Sequence, residues 1–195
     1  MRSPTCCAQS ARASSRWPGL SPSHLPTDSI PSTLTGEEGS GRLLCPHAIF
    51  IDRRNDKVPE LYVADRINVR VVVYDLDGRY LRTFGETFLN SPSDFAQWGD
   101  LLVVAEIYER LAVLDSDVHL VGYIGADPDP QAALGWPSRP GWPNDLSDDG
   151  RAEIPLLPQH DRFNSPHSVA ADADGNLYVS EWLLGGRYTK LTARR

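Results

Sequence analysis

The chain repeats itself, and that repetition constrains its fold more than any single motif does. "PHAIFID", starting at Pro46, leads through a polar turn into "LYVADRINVRVVVYDLDGRYLRTFGE". "PSDFAQWGDLLVVAEIYERLAVLDSDVHLVGYIG" restates the same order of parts from Pro92, and "PHSVAADADGNLYVSEWLLGGRYTKL" restates most of it from Pro166. His47 and Ser93 occupy one slot 46 positions apart, and His167 follows Ser93 by 74, the excess being a single Pro-rich insertion. A period of this size marks a supersecondary unit that buries its apolar face only by stacking on its neighbours.

Within each unit the apolar runs are short, rich in Val, Leu, Tyr and Ile, and broken by Gly, Asp and Asn, which predicts strands joined by tight turns. Asp77-Gly78 and Asp174-Gly175 are hairpin signals, because glycine accepts the positive φ that such turns need. The predicted strands A to D of the first unit are Ala48–Asp52, Leu61–Asp65, Arg70–Asp75 and Tyr80–Phe84. Those of the second are Phe95–Gln97, Leu101–Glu106, Leu111–Asp115 and His119–Ile124. The third has Ser168–Asp172, Leu177–Glu181 and Arg187–Leu191, with no fourth strand. Four-stranded units of about 45 residues are the mark of propeller blades. The expected fold is therefore all-β: a partial β-propeller of two full blades and part of a third over residues 41–195, with an insertion at 126–162. Residues 1–40, rich in Ser, Pro, Ala and Arg, read as a disordered tail or a misassigned start.

Two blades and a part cannot close a ring, so the remaining blades are expected from a longer chain or from self-association. An open arc of this kind is expected to leave two apolar sheet faces in water.

Successive strands of a blade run antiparallel, so the start of A, the end of B, the start of C and the end of D share one face of the disc. His47, the pair Ser93-Asp94 and His167 begin the inner strands on that face. Imidazole is the commonest metal ligand, and a catalytic zinc needs three protein ligands. His47 and His167 are thus candidate zinc ligands, with Asp94 as a weak substitute for a third; the alternative is that each imidazole merely bonds a neighbouring backbone group. The pairs Asp65/Arg70, Glu106/Arg110 and Glu181/Arg187 recur once per blade and read as structural braces of the B–C loops. Trp136 and Trp142, in the insertion, are expected to fold over the histidine face as a lid.

The formal charge of −7 falls entirely on residues 41–195, since Arg2, Arg12 and Arg16 balance Asp28, Glu37 and Glu38. An acidic body repels phosphate, so no nucleic-acid partner is expected. No apolar run approaches the roughly 18 residues of a membrane helix, so none spanning a membrane is expected. Three cysteines, Cys6, Cys7 and Cys45, form no CxxC pair and no disulfide framework.

The pattern Pro-x-x-apolar-x-apolar-Asp, then "LYVAD", an Arg soon after and a closing "LRTFG", resembles the NHL repeat. That resemblance implies a six-bladed, TolB-like propeller and a scaffold that holds a small molecule, peptide or protein at its histidine face. The "PHAI" and "PHSV" strand starts are similar to those of the peptidyl-hydroxyglycine lyase propellers. That likeness implies a zinc-dependent lyase with His47 and His167 as ligands, and Arg66 and Tyr108 on loops that could carry catalytic side chains. Ser93, in place of a histidine, departs from the lyase pattern.

Overall fold

The computed structural model describes residues 42–54, 58–108, 110–126, 162–163, 165–182 and 187–193. The tail and insertion assignments, including Trp136 and Trp142, fall outside these residues. Eleven strands are present: β1 (Pro46–Asp52), β2 (Glu60–Asp65), β3 (Arg70–Tyr74), β4 (Tyr80–Phe84), β5 (Pro92–Trp98), β6 (Leu101–Glu106), β7 (Arg110–Leu114), β8 (Leu120–Ile124), β9 (Pro166–Ala171), β10 (Leu177–Glu181) and β11 (Arg187–Leu191). They form three antiparallel sheets in the orders β1-β2-β3-β4, β5-β6-β7-β8 and β9-β10-β11. The fold is a partial β-propeller of two four-stranded blades and one three-stranded blade, with no helix among the described residues.

The strand boundaries follow the sequence reading closely except at β5, which begins at Pro92 rather than Phe95. "SPSD" reads as a turn by composition. Its proline occupies the place of Pro46 and Pro166, which pair with Asp65 and Glu181 as Pro92 pairs with Glu106. The repeat, rather than the local composition, decides where the strand starts.

Both glycine turns form as the sequence suggests. Gly78 and Gly175 each sit at φ 84°, and each donates to an aspartate carbonyl three residues back, Asp75 and Asp172. The aspartate Oδ1 also accepts from the second and fourth amides after it, as in Asp75 to Asp77 and Arg79. The same device recurs at Asp115, but there the left-handed position is Val118, at φ 60°.

The blades pack face to face through alternate side chains. Blade 1 turns Phe50, Tyr62, Ala64, Val71 and Val73 onto Phe95, Leu102, Val104, Ala112 and Leu114 of blade 2. Blade 2 turns Ala96, Val103, Ala105 and Leu111 onto Val169, Leu177 and Val179 of blade 3. Val71, Val73, Val103 and Leu111 are completely buried, each stabilising the fold by about 1.5–3 kcal/mol. The inner strands β1, β5 and β9 meet in turn, which brings their first residues toward a common axis.

The expectation of two apolar outer faces in water does not hold as stated on either side. The outward face of blade 1 is apolar, but Val63, Val72 and Tyr74 are buried there and only Ile49 and Ile51 beside them are exposed. The outward face of blade 3 carries Ser168, Ala170, Tyr178, Ser180, Tyr188 and Lys190, with Tyr188 80% exposed and Lys190 lying over the Tyr178 ring. Where blade 2 uses Leu111 and Val113, blade 3 uses Tyr188 and Lys190, whose stems and rings tolerate water on one side.

Candidate functional site

Strand polarity delivers the histidines to one place. His47 opens β1 and His167 opens β9, and their ring centroids lie 4.7 Å apart, edge to face. His47 Nδ1 is 2.8 Å from the carbonyl oxygen of Ser93. A carbonyl can only accept, so Nδ1 carries a proton, and in the neutral ring the lone pair is on Nε2. Ser93 therefore takes part through its backbone, positioning the imidazole of the blade before it. Its own hydroxyl is buried and bonded to the carbonyls of Ala105 and Pro166.

The proton affinity of His167 is held below the ordinary imidazole range. Burial is the largest cause, followed by the neighbouring His47 and then the Arg66 guanidinium, with Asp94 opposing them. Arg66 and His47 thus both disfavour a positive charge on His167. Arg66 and Trp182 occupy the same slot, one residue after the acid that ends strand B, where blade 2 has the buried Ile107. Trp182 is half exposed, its ring 6.4 Å from His167. The sequence reading missed Trp182; an aromatic in the slot of Arg66 is the signal that could have found it. Tyr108 is half-buried in the loop after β6.

Asp94 faces β9. Its Oδ2 accepts from the Ser168 hydroxyl at 2.5 Å and the Val169 amide at 3.0 Å, which stitches blade 2 to blade 3 directly below His167. The donor set for zinc is then the Nε2 of His47 and one nitrogen of His167, short of the three protein ligands of a catalytic site. Among the described residues no group of three His, Cys, Asp or Glu side chains converges, so they do not by themselves complete a zinc site.

Each acid–arginine pair reaches further than its own loop. Arg70 Nε donates to Asp65 at 2.8 Å, Arg110 Nε to Glu106 at 2.6 Å, and Arg187 Nε to Glu181. The other carboxylate oxygen accepts backbone amides from the segment leading into strand A: Leu44 for Asp65, Asn90 and Ser91 for Glu106, Ser165 for Glu181. All three carboxylate side chains are fully buried. For Glu106 burial outweighs Arg110 and the two amides, and its proton affinity is raised. Each acid thereby fastens the approach to its own histidine slot to the B–C loop. The Ser165 hydroxyl, directly before Pro166-His167, is the one buried side-chain polar atom without a partner among the described residues.

No protein-family model matches the chain, and no curated protein matches it. Among solved structures it is similar to the extracellular domain of a one component system from B. thetaiotaomicron, at 18% identity and TM-score 0.40, over 82% of this chain and 17% of that one. It is also similar to virginiamycin B lyase from Staphylococcus aureus, at 13% identity and TM-score 0.39, over 77% of this chain and 56% of the lyase. A streptogramin B lyase is similar at 13% identity and TM-score 0.38, over 76% of this chain and 54% of that one. The chain thus spans under a fifth of the first structure and little more than half of each lyase.

Proposed function

We propose that the chain is a β-propeller scaffold of NHL type that binds a small molecule, peptide or protein at its histidine-bearing face. The observation that carries this reading is the contact of the His47 and His167 rings at 4.7 Å. It gathers side chains 120 positions apart in sequence at the inner ends of two blades, with Arg66 and Trp182 beside them. An exposed indole next to two imidazoles offers apolar area and directional hydrogen bonding together, the combination that binding surfaces favour. Selection from a displayed random-peptide library tests it. Enriched sequences should bind the wild-type chain and lose binding to both His167→Gln and Trp182→Ala. Enrichment that is equal on all three proteins rejects the histidine face as the binding surface.

A second reading, a zinc-dependent lyase resembling the peptidyl-hydroxyglycine lyases, is favoured by one detail. The bond from His47 Nδ1 to the Ser93 carbonyl leaves Nε2 free, and metal-ligating histidines are oriented by such a bond. His47 and His167 would supply two ligands and further donors would have to complete the set. Zinc content measured by mass spectrometry decides it: stoichiometric metal lost in His47→Ala and His167→Ala supports the reading, and metal unchanged in both ends it.

A further inference from the structure

All three blades begin the inner strand with a β-bulge, and the bulge falls on the same slot. In blade 2, Pro92 pairs with Glu106 and Asp94 with Ala105, which leaves Ser93 as the extra residue. In blade 3, Pro166 pairs with Glu181 and Ser168 with Ser180, which leaves His167. In blade 1, His47 and Ala48 stand against the single Ala64, between the pairs Pro46–Asp65 and Ile49–Val63. A bulged residue drops out of the regular ladder, and its side chain is re-aimed. The bulges thus set three adjoining slots on the inner rim, two filled by histidine and one, between them, by serine.

The serine slot reaches both of its neighbours. The Ser93 carbonyl accepts from His47 Nδ1, in blade 1, at 2.8 Å. The Ser93 hydroxyl, in a residue only 1% exposed, lies 3.0 Å from the Ala105 carbonyl and 3.2 Å from that of Pro166, the residue before His167. Asp94 takes the other side of His167, where its Oδ2 accepts from the Ser168 hydroxyl and the Val169 amide. One dipeptide of β5 therefore touches the His47 ring directly and brackets His167 along β9. The two rings meet at 4.7 Å although blade 2 lies between the blades that carry them, so their spacing is set by what blade 2 offers each of them.

We propose that Ser93 and Asp94 are the positioning residues of the histidine face: they fix which ring nitrogen of neutral His47 holds the proton, fix the place of His167, and so set the spacing of the two imidazoles. Ser93 is then an anchor and not a ligand position that has lost its histidine. Whatever occupies the face meets two imidazoles, from blades 1 and 3, held by the blade between. The consequence for binding rests on the reading of this face as the binding surface; the effect on the rings does not.

Nitrogen NMR of the imidazoles in the full chain, at about pH 8 where an ordinary imidazole is neutral, tests it. In the wild type the His47 proton should stay on Nδ1, whereas an unheld ring exchanges it between both nitrogens. Ser93→Ala should release that preference and shift the His167 signals. Asp94→Leu should shift His167 as well, and Asp94→Asn, which keeps an acceptor oxygen, should restore it. Peptides selected on the wild type should bind Ser93→Ala about tenfold more weakly. Ring signals unchanged in Ser93→Ala and Asp94→Leu overturn the proposal even where urea shows lower stability, because a bond that only joins blades lowers stability without moving the rings. Shifted rings with unchanged peptide affinity overturn its part in binding. A library that yields no binder counts against the binding reading alone, and the ring signals still decide the positioning.

Discussion

The two inter-blade interfaces solve one packing problem by different means. Both bury aliphatic strand faces, and both must close the end of the sandwich opposite the histidines. Between blades 1 and 2 the closure is ionic. Arg54, its side chain 1% exposed, donates to both Asp52 oxygens at 2.9 Å and to the carbonyls of Asp100 and Asp115 across the interface. Tyr62 adds its hydroxyl to Asp52 at 2.9 Å, and Arg82 holds Glu60 through both oxygens. Between blades 2 and 3 the closure is a single indole: Trp98 Nε1 donates to the Gly175 carbonyl at 2.8 Å. Two guanidinium bonds across the first interface, from an Arg54 fixed in place by its two bonds to Asp52, hold it against sliding. One indole bond over a hollow of about 350 Å³ fixes the second far less. The repeat therefore sets which faces meet, and residues outside it set how firmly.

Removing the clamp of the first interface should produce the largest effect. Arg54→Met fills much of the same volume but leaves the partly buried Asp52 without its cation, and breaking a pair this way costs up to about 3–5 kcal/mol. Urea titration should show that loss, and a loss below about 1 kcal/mol would mean that the two closures are equivalent after all. Glu181→Gln comes next, because it weakens the bond to Arg187 while keeping the shape. A loss of about 1–3 kcal/mol is expected for a buried hydrogen-bonded group left mismatched. The shift of the His167 ring protons should change with it if Glu181 holds the approach to that histidine. Unmoved His167 resonances would separate the brace from the site.

Trp98→Phe probes the second interface at its own closure. It removes one neutral hydrogen bond and part of a ring, about 1–2 kcal/mol, so it should be tolerated where Arg54→Met is not. Matching losses would erase the contrast between the interfaces.

These residues also show where the sequence is legible. Strand order, the shared face of His47 and His167 and the glycine turns follow from period-2 alternation and from Gly and Pro punctuation, which are local signals. Arg54 was not legible. It stands in "DRRND" as one polar turn residue among five, and its acceptors lie 46 and 61 positions away. Trp98 was not legible either, because nothing near it in sequence names Gly175 as its acceptor. The acid–arginine pairs were visible as pairs, but their second oxygen reaches backward 15 to 21 positions to the amides of the preceding segment. No spacing rule within a hairpin points there.

The histidine face titrates in a predictable direction. Unfolded, an imidazole takes up a proton near its ordinary value of about 6.5, while in the fold His167 resists protonation through burial, His47 and Arg66. The stability it contributes is complete above about pH 6.5 and declines as the pH falls below it, until the folded group also protonates. Wild type compared with His167→Gln between pH 7 and 5 should converge as the pH drops. Parallel curves would show that His167 titrates alike in both states. Asp94 opposes the shift, so Asp94→Asn should steepen the decline.

The smallest effect is also the most instructive about what holds the first interface. Val118 occupies the left-handed position that Gly78 and Gly175 occupy in the sister turns, a conformation costing a β-branched residue about 1–3 kcal/mol. Yet its side chain packs into the core between blades 1 and 2 and lines a cavity of about 270 Å³ beside Arg54 and Tyr62. Val118→Gly relieves the backbone and empties that position. Partial burial of a valine is worth about 1–2 kcal/mol, and the glycine adds an entropic cost of about 0.5–1 kcal/mol. The terms nearly cancel, and the net change should stay within about 1 kcal/mol of zero. A clear gain in stability would mean that the turn strain dominates and the side chain does little between the blades. A clear loss would mean that the first interface relies on an apolar contact from the β7–β8 turn.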